Sequence, residues 1–147
     1  MKGSIATLVL ASLCASPVSA EQGQARFSVA VTVPKHATLE IIEQPAELSL
    51  TAQDVARGYK DVFARYLVRH NDRLGYLLQI APHVGVAQRI EVRGLGADVI
   101  LRDDVVDIHR AGETFVQDLA LEFHIVLDAS SRPGTIALPV HVAVTTL

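Results

Sequence analysis

Leu119 to Leu127 read LALEFHIVL, and this stretch decides the fold class. Its apolar side chains recur at every second position, while Glu122 and His124 fall on the opposite face. A β-strand points successive side chains to opposite faces of a sheet, whereas a helix repeats its apolar face every three or four residues. The stretch is therefore typical of a strand with one buried face and one exposed face.

Three further stretches show the same alternation. Their apolar positions are Phe27, Val29, Val31 and Val33, then Tyr76, Leu78 and Ile80, and finally Ile136, Leu138, Val140, Val142 and Val144. Weaker candidates span residues 38–42, 47–50, 62–69, 89–93, 99–101 and 105–109, and turn-forming residues separate most of them. Roughly seven to ten strands at this spacing predict an all-β, immunoglobulin-like antiparallel β-sandwich. Pro139 has no N–H for a ladder, so it predicts an edge position or a bulge in the last strand.

At most one short helix is predicted. Thr51 is a suitable N-cap, Asp54 follows three residues later as in a capping box, and Gly58 ends the helix after about two turns. Residues 59–69 fit two interpretations, because their apolar side chains can be placed at helical spacing or in strict alternation. We favour a strand there, since a turn at Asn71-Asp72 follows.

The first twenty residues have the layout of a secretory signal peptide. Lys2 is followed by an apolar run from Ile5 to Leu13, and the segment ends in the small residues Val18-Ser19-Ala20. We therefore expect a leader over residues 1–20, a single domain over residues 21–147, and export to the periplasm or the cell surface. The sole cysteine, Cys14, lies in the predicted leader, so we expect no disulfide in the remaining chain.

Charge and hydropathy argue against two classes of partner. The net charge is -3, and positive residues are scattered through the sequence. A dedicated nucleic-acid binder concentrates positive charge on one face, so we expect no nucleic-acid partner. No segment has the roughly 20 consecutive apolar residues of a membrane-spanning helix, and we expect no stable membrane span.

Histidines and aspartates offer two weak metal-site candidates. His124 and His141 would be neighbours if the last two strands paired, with Glu122 as a third ligand. Asp103, Asp104 and Asp107 suggest Ca²⁺, but that ion needs about six to eight oxygens from a loop shaped to present them. We interpret the histidines as surface residues and residues 102–110 as a hairpin corner with solvated charge, so no metal or cofactor is predicted.

No arrangement of residues predicts an enzyme. Ser130 and Ser131 lie in a predicted turn without the Gly-x-Ser-x-Gly pattern of a nucleophile elbow. Gly94-Leu95-Gly96 lacks the third glycine of a dinucleotide-binding turn, and we interpret its glycines as turn residues that adopt positive φ. The chain is therefore not predicted to be an enzyme.

The backbone itself is the remaining candidate for function. Phe27, Val29, Val31 and Val33 lie close to the predicted start of the exported chain. Such a strand is either the first strand of a closed sandwich or a donor strand that adds to the open sheet edge of another subunit. The composition of the segment does not separate these two alternatives.

Three segments resemble subunits of chaperone-usher pili and the related spore-coat-U-like secreted proteins. They are FSVAVTV at 27–33, VRHNDRLGYLL at 68–78 and PGTIALPV at 133–140. The resemblance implies an incomplete immunoglobulin-like sandwich that a strand from the next subunit completes, a periplasmic chaperone, and homo- or hetero-oligomeric assembly. It implies no catalytic group.

The leading hypothesis is therefore a pilin-like assembly subunit that acts through strand complementation with other protein subunits. Its donor face comprises Phe27, Val29, Val31 and Val33. The alternative is a self-complete periplasmic sandwich that binds a protein, a glycan or a small ligand through its loops.

Overall fold

The computed structural model describes residues 30–83, 87–112 and 114–147. Val33–Leu147 form one compact unit, and of the preceding unit, Met1–Thr32, the described part is residues 30–32. The predicted leader and the donor positions Phe27 and Val29 lie outside the described residues.

Strands make up most of the described chain. The elements are β1 (Ala37–Glu43), β2 (Glu47–Leu50), α1 (Ala52–Arg57), β3 (Tyr59–His70), β4 (Tyr76–Pro82), β5 (Ala87–Arg93), β6 (Val99–Leu101), β7 (Val106–Arg110), β8 (Val116–Leu127), β9 (Gly134–Ala137) and β10 (Val140–Thr146). The prediction of one short helix is confirmed, and residues 59–69 form a strand as we favoured. Among the described residues, no helix has the length and apolar character needed to cross a bilayer.

The strands form three antiparallel sheets. A five-stranded sheet has the order β1-β3-β8-β5-β6, a three-stranded sheet has the order β10-β4-β7, and β2 pairs with β9. The long strands β3 and β8 pair with each other over eleven positions and form the centre of the largest sheet. The predicted all-β sandwich architecture is confirmed.

The core consists of the alternating apolar residues that the sequence places on one face of each strand. Tyr66, Phe123 and Ile125 from the five-stranded sheet are fully buried, as are Leu78 and Ile80 from the three-stranded sheet. Full burial of an aliphatic or aromatic side chain of this size contributes about 1.5–3 kcal/mol. Period-two alternation therefore fixes which face of each strand enters the core.

The last alternating stretch forms two strands where we predicted one. β9 pairs with β2, whereas β10 pairs with β4 in a different sheet. The change of sheet occurs at Leu138 and Pro139, where Leu138 N–H donates to Ala46 O (3.3 Å) and Pro139 O accepts from His83 N–H (2.9 Å). Because proline has no N–H, it ends the ladder there, which agrees with the edge position or bulge predicted for Pro139.

The segment 102–110 is not the predicted hairpin corner. β6 is an edge strand of the five-stranded sheet, whereas β7 is an edge strand of the three-stranded sheet. The chain between them therefore crosses from one sheet to the other. Local charge and turn signals are similar for a hairpin and for such a crossing, so the sequence pattern did not distinguish them.

The helix α1 begins with the predicted capping box. Thr51 Oγ1 accepts from Asp54 N–H (3.1 Å), and the Asp54 carboxylate accepts from Thr51 N–H (3.0 Å). Lys60 Nζ donates to the same carboxylate (2.9 Å), and Arg57 pairs with it as well. The Thr51 N–H, followed by Lys60, lowers the pKa of the buried Asp54 carboxyl well below its usual value. Gly58 ends the helix in the left-handed conformation.

Candidate functional site

The edge strands β1 and β10 lie side by side without pairing. β1 pairs with β3 and β10 pairs with β4, and the described chain contains no backbone hydrogen bond between β1 and β10. Lys35 Nζ lies 3.3 Å from Leu147 O, which places the start of β1 beside the end of β10. We call the space between these antiparallel edges the seam. Among the described residues, neither edge pairs with another strand across the seam, and an unpaired edge is a template for strand addition.

The β1 side of the seam exposes a side chain that faces the core. Ile41 stands opposite Tyr66 in the ladder, so both side chains project from the same face of the sheet. Tyr66 is completely buried, yet Ile41 is 59% exposed. Leu39, two residues earlier on the same face, is half-buried. Side-chain burial on this face of β1 therefore decreases from Leu39 to Ile41.

The β10 side of the seam is apolar as well. Val142 and Val144 stand opposite the fully buried Ile80 and Leu78 of β4. Val142 is buried, whereas Val144 is half-buried and packs against the edge of the core. A strand that entered the seam would therefore meet apolar side chains from both sheets.

A cavity lies where the seam ends near the start of β10. Its volume is about 400 Å³, and its lining includes Gln44 after β1, Leu138 and Pro139 before β10, and His141. Gln44 Oε1 also accepts the hydroxyl hydrogen of Tyr66 (2.8 Å). Burial raises the pKa of Tyr66 to about 12, so the hydroxyl stays protonated and remains a donor at neutral pH.

The N-terminal arm, which we define as residues 30–36, precedes β1 and belongs to no strand. Val31 is 79% exposed and Val33 is 69% exposed, so neither predicted donor side chain is buried. The described part of the predicted strand over 27–33 therefore forms no ladder, because an extended segment becomes a strand only when a neighbour pairs with its backbone.

The turn after β3 anchors the base of the arm. His36 N–H donates to Asn71 Oδ1 (2.8 Å), and Asn71 Nδ2 donates to Pro34 O (2.8 Å). Lys35 Nζ lies 2.6 Å from Asp72 Oδ2, and Asp72 is buried. Lys35 and the Leu74 N–H hold the pKa of the Asp72 carboxyl below its usual value, so the carboxylate is charged at neutral pH.

An aromatic cluster packs beside this turn. The buried His70 packs against Tyr76 and Phe115, with ring centroids 5.2 Å and 5.9 Å apart respectively. His70 Nδ1 lies 2.9 Å from Asp72 O, a geometry in which the ring nitrogen donates to the carbonyl. These contacts hold the turn that carries Asn71 and Asp72, to which Pro34, Lys35 and His36 are bonded.

The residues that we considered as metal ligands are not brought together. β8 and β10 lie in different sheets, so the pairing that would make His124 and His141 neighbours does not form. His124 Nδ1 instead lies 2.6 Å from Asp61 Oδ1 on β3. Asp107 accepts from Gln79 Nε2 (2.9 Å), away from any ligand cluster. Within the described ranges, no three His, Cys, Asp or Glu side chains form a group that could hold a metal ion.

The turn glycines behave as predicted. Gly94 and Gly96 have φ values of 102° and 91°, which is the left-handed region that glycine adopts without strain. Ser131 N–H donates to Asp128 O (2.9 Å) in the turn between β8 and β9.

The seam did not follow from the sequence alone. Ile41 and Ile42 are consecutive apolar residues at the end of a strand, and this break in alternation was the available signal. Lys35 and Asn71 gave no local signal, because their contacts join residues more than thirty positions apart.

Comparisons with protein-family models, with curated proteins and with solved structures give no match to this chain.

Proposed function

We propose that the protein is an exported assembly subunit in which the N-terminal segment of one copy adds as a strand to the seam of another copy. The observation that carries this proposal is the exposure of Ile41. A core-facing isoleucine opposite a fully buried tyrosine remains 59% exposed, and none of the described strands covers it. Exposed apolar surface beside an unpaired backbone edge is the chemistry that strand addition satisfies.

The proposed donor matches the seam in length and in pattern. The segment Phe27 to Val33 has seven residues, as has β10, and both span about 23 Å when extended. The alternating side chains would enter the core beside Leu39, Ile41 and Val144. The donor backbone would pair with the free edge of β10. Strands that flank an inserted strand lie about 9.6 Å apart. Because β1 and β10 lie closer than that, β1 would move away from β10 as the donor enters.

The arm geometry favours a partner copy over self-insertion. Lys35, at the base of the arm, lies at the end of the seam beside Leu147. To enter its own seam, the chain would have to reverse at Pro34 to His36, where Asn71 fixes the backbone. In a head-to-tail chain, the next copy lies at the opposite end, and its arm enters from the 400 Å³ cavity and runs antiparallel to β10.

Export and chaperone protection belong to the same proposal. The layout of residues 1–20 supports secretion to the periplasm or the cell surface. An open apolar seam is prone to unspecific strand pairing before assembly, so a chaperone that occupies it would keep the subunit soluble.

The test compares charges on the two faces of the donor segment. The variant Val31→Asp/Val33→Asp places two carboxylates on the proposed inward face, and Ala30→Asp/Thr32→Asp places two on the outward face. Sedimentation velocity should show monomers for the first variant and wild-type oligomers for the second. Deletion of residues 21–33 should also leave a monomer.

Equal assembly of the two charge variants would refute the proposal, and so would normal assembly of the deletion variant. A wild-type monomer whose unfolding temperature is independent of concentration would also refute it, and would favour the self-complete binding module.

A further inference from the structure

The outer face of the five-stranded sheet carries a hollow that is separate from the seam. Two neighbouring cross-strand rows form it. Glu43, Arg65 and Ala120 are opposite one another in the first row, and Phe63, Glu122 and Arg93 are opposite one another in the second row. These residues, together with Gly94, line a cavity of about 360 Å³. Pockets for small molecules have volumes of about 300–1,000 Å³, so this hollow lies at the small end of that range.

Small residues at the centre of the rows create the hollow. Ala120 contributes only a methyl group, and Gly94 contributes no side chain. A Cβ atom at Gly94 would lie 2.3 Å from Ala120 O, so the backbone there approaches β8 more closely than any other residue allows. The larger side chains of both rows therefore stand as walls around a floor of Ala120 and backbone.

Phe63 forms an apolar wall on a face that is otherwise polar. It is 67% exposed, and its neighbours on the same face of β3 are Asp61 and Arg65. The sandwich core does not use this ring. Pockets that bind small molecules combine aromatic side chains with a few polar groups, and Phe63 supplies the aromatic side chain here.

Four charged side chains form the rim, and the carboxylates of Asp118 and Glu91 pair with its two arginines. Glu43 and Glu122 contribute two carboxylates, and Arg65 and Arg93 contribute two guanidinium groups. Arg93 Nη1 lies 3.3 Å from Glu122 Oε1, while Arg65 Nε lies 3.0 Å from Asp118 Oδ1. Arg65 lowers the pKa of the Asp118 carboxyl, so this pair is ionised at neutral pH.

These pairs hold the side chains in place but leave hydrogen-bonding capacity. A guanidinium has five N–H donors and a carboxylate has about four acceptor sites. Glu43 makes no hydrogen bond within the described part of the chain, and Glu122 accepts a single one. The rim therefore offers both hydrogen-bond donors and hydrogen-bond acceptors.

We propose that this hollow binds a neutral sugar ring, which makes the protein a glycan-binding subunit. The C–H face of a pyranose would pack on the Phe63 ring, whose π face is negative. The hydroxyl groups, which both donate and accept, would bond to Glu43, Arg93 and Glu122. An exposed aromatic ring beside mixed donors and acceptors fits this ligand, because a sugar ring combines an apolar C–H face with hydroxyl groups that donate and accept.

The proposal is independent of strand complementation. The seam faces β10, whereas the hollow lies on the outer face of the sheet, where Glu43 at the end of β1 forms part of its rim. An assembled fibre would display one hollow on each subunit. Weak binding at each site would then become strong attachment to a repetitive glycan.

Saturation-transfer NMR on the full chain from Glu21 tests the proposal, because the method works on large assemblies. The probes are cellobiose, maltose, lactose and N,N′-diacetylchitobiose, with digalacturonate as a charged probe and indole as an apolar probe. The variants are Phe63→Ala, which removes the wall, and Ala120→Leu, which fills the hollow from an exposed position. Ile100→Ala is the matched control, since Ile100 is 55% exposed on β6 of the same sheet.

We expect at least one neutral disaccharide to receive saturation. Phe63→Ala and Ala120→Leu should each weaken its binding about tenfold or more, and Ile100→Ala should leave it unchanged. Circular dichroism should show the wild-type fold for all three variants. Phe63→Tyr should retain binding, because it keeps the ring.

Three results would overturn the proposal. The first is that no neutral disaccharide receives saturation. The second is binding that both hollow variants leave intact. The third is binding of indole or digalacturonate alone, which would assign the hollow to an apolar side chain or to an anion. Failure of this test would leave oligomer formation unaffected, so it is distinguishable from failure of strand complementation.

Discussion

Replacement of Ile41 by alanine should destabilise the isolated subunit only slightly and should weaken self-association clearly. Full burial of an isoleucine side chain contributes about 1.5–3 kcal/mol. Ile41 is 59% exposed, so only about two fifths of that contribution, about 1 kcal/mol, is realised in the isolated subunit. Ile90 is 1% exposed, and its replacement by alanine should cost about 2–5 kcal/mol.

Urea-induced unfolding of the monomeric Val31→Asp/Val33→Asp background measures these values without interference from assembly. In the wild-type background, Ile41→Ala should also weaken self-association about tenfold, because the donor strand loses the remaining contact of about 1–2 kcal/mol. Sedimentation equilibrium measures this change. The reasoning would be refuted if Ile41→Ala destabilised the monomer as much as Ile90→Ala, or if it left self-association unchanged.

Three further predictions concern the framework around the seam. Asp54→Asn should lower the thermal midpoint at pH 7 more than Asp118→Asn, because Asp54 is buried with a depressed pKa. The stability that a depressed pKa confers is present above the unfolded-state pKa and is lost as the pH falls below about 4. Differential scanning fluorimetry from pH 3 to pH 7 should therefore show a smaller loss of thermal midpoint at low pH in Asp54→Asn than in wild type. Gly75→Ala should lower the free energy of unfolding by about 3 kcal/mol or more, because a Cβ would lie 1.8 Å from a carbonyl oxygen at the end of β7. Gly58 has a similar φ but open space around it, so Gly58→Ala should lower it by about 1 kcal/mol in urea unfolding. Asn71→Ala should accelerate proteolytic cleavage before Ala37, because it removes the side-chain hydrogen bonds that anchor the arm. The thermal midpoint should stay within about 2 °C of wild type. Unchanged cleavage would contradict the anchoring role.

Local patterns predicted the strands because alternation within a few consecutive residues shows which side chains of a strand face the core. LALEFHIVL places its apolar side chains in the core as expected, and Thr51 with Asp54 forms the predicted cap. The capping box involves residues three positions apart, so its geometry follows from helix geometry alone. Elements of this kind need no knowledge of the rest of the chain.

Pairings between distant segments did not follow from local patterns. The division of the last alternating stretch at Pro139 depends on which neighbour each half meets, and β2 and β4 lie far away in sequence. The crossing between β6 and β7 looked like a hairpin for the same reason. Both the seam and the outer-face hollow arise where strands from separate parts of the chain end beside one another. Sequence alternation assigns Ile41 and Ala120 to a face, but it does not say whether a neighbour covers them.

Hydrogen exchange of the β10 amides tests the central claim most directly. In the isolated subunit, the amides of Val140–Thr146 that point to the seam have no partner strand and should exchange rapidly, while those that bond to β4 should be protected. After assembly of the wild-type chain, the seam-facing amides should become protected, and in the Val31→Asp/Val33→Asp variant they should remain fast. Equal protection of these amides in the two proteins would contradict the account.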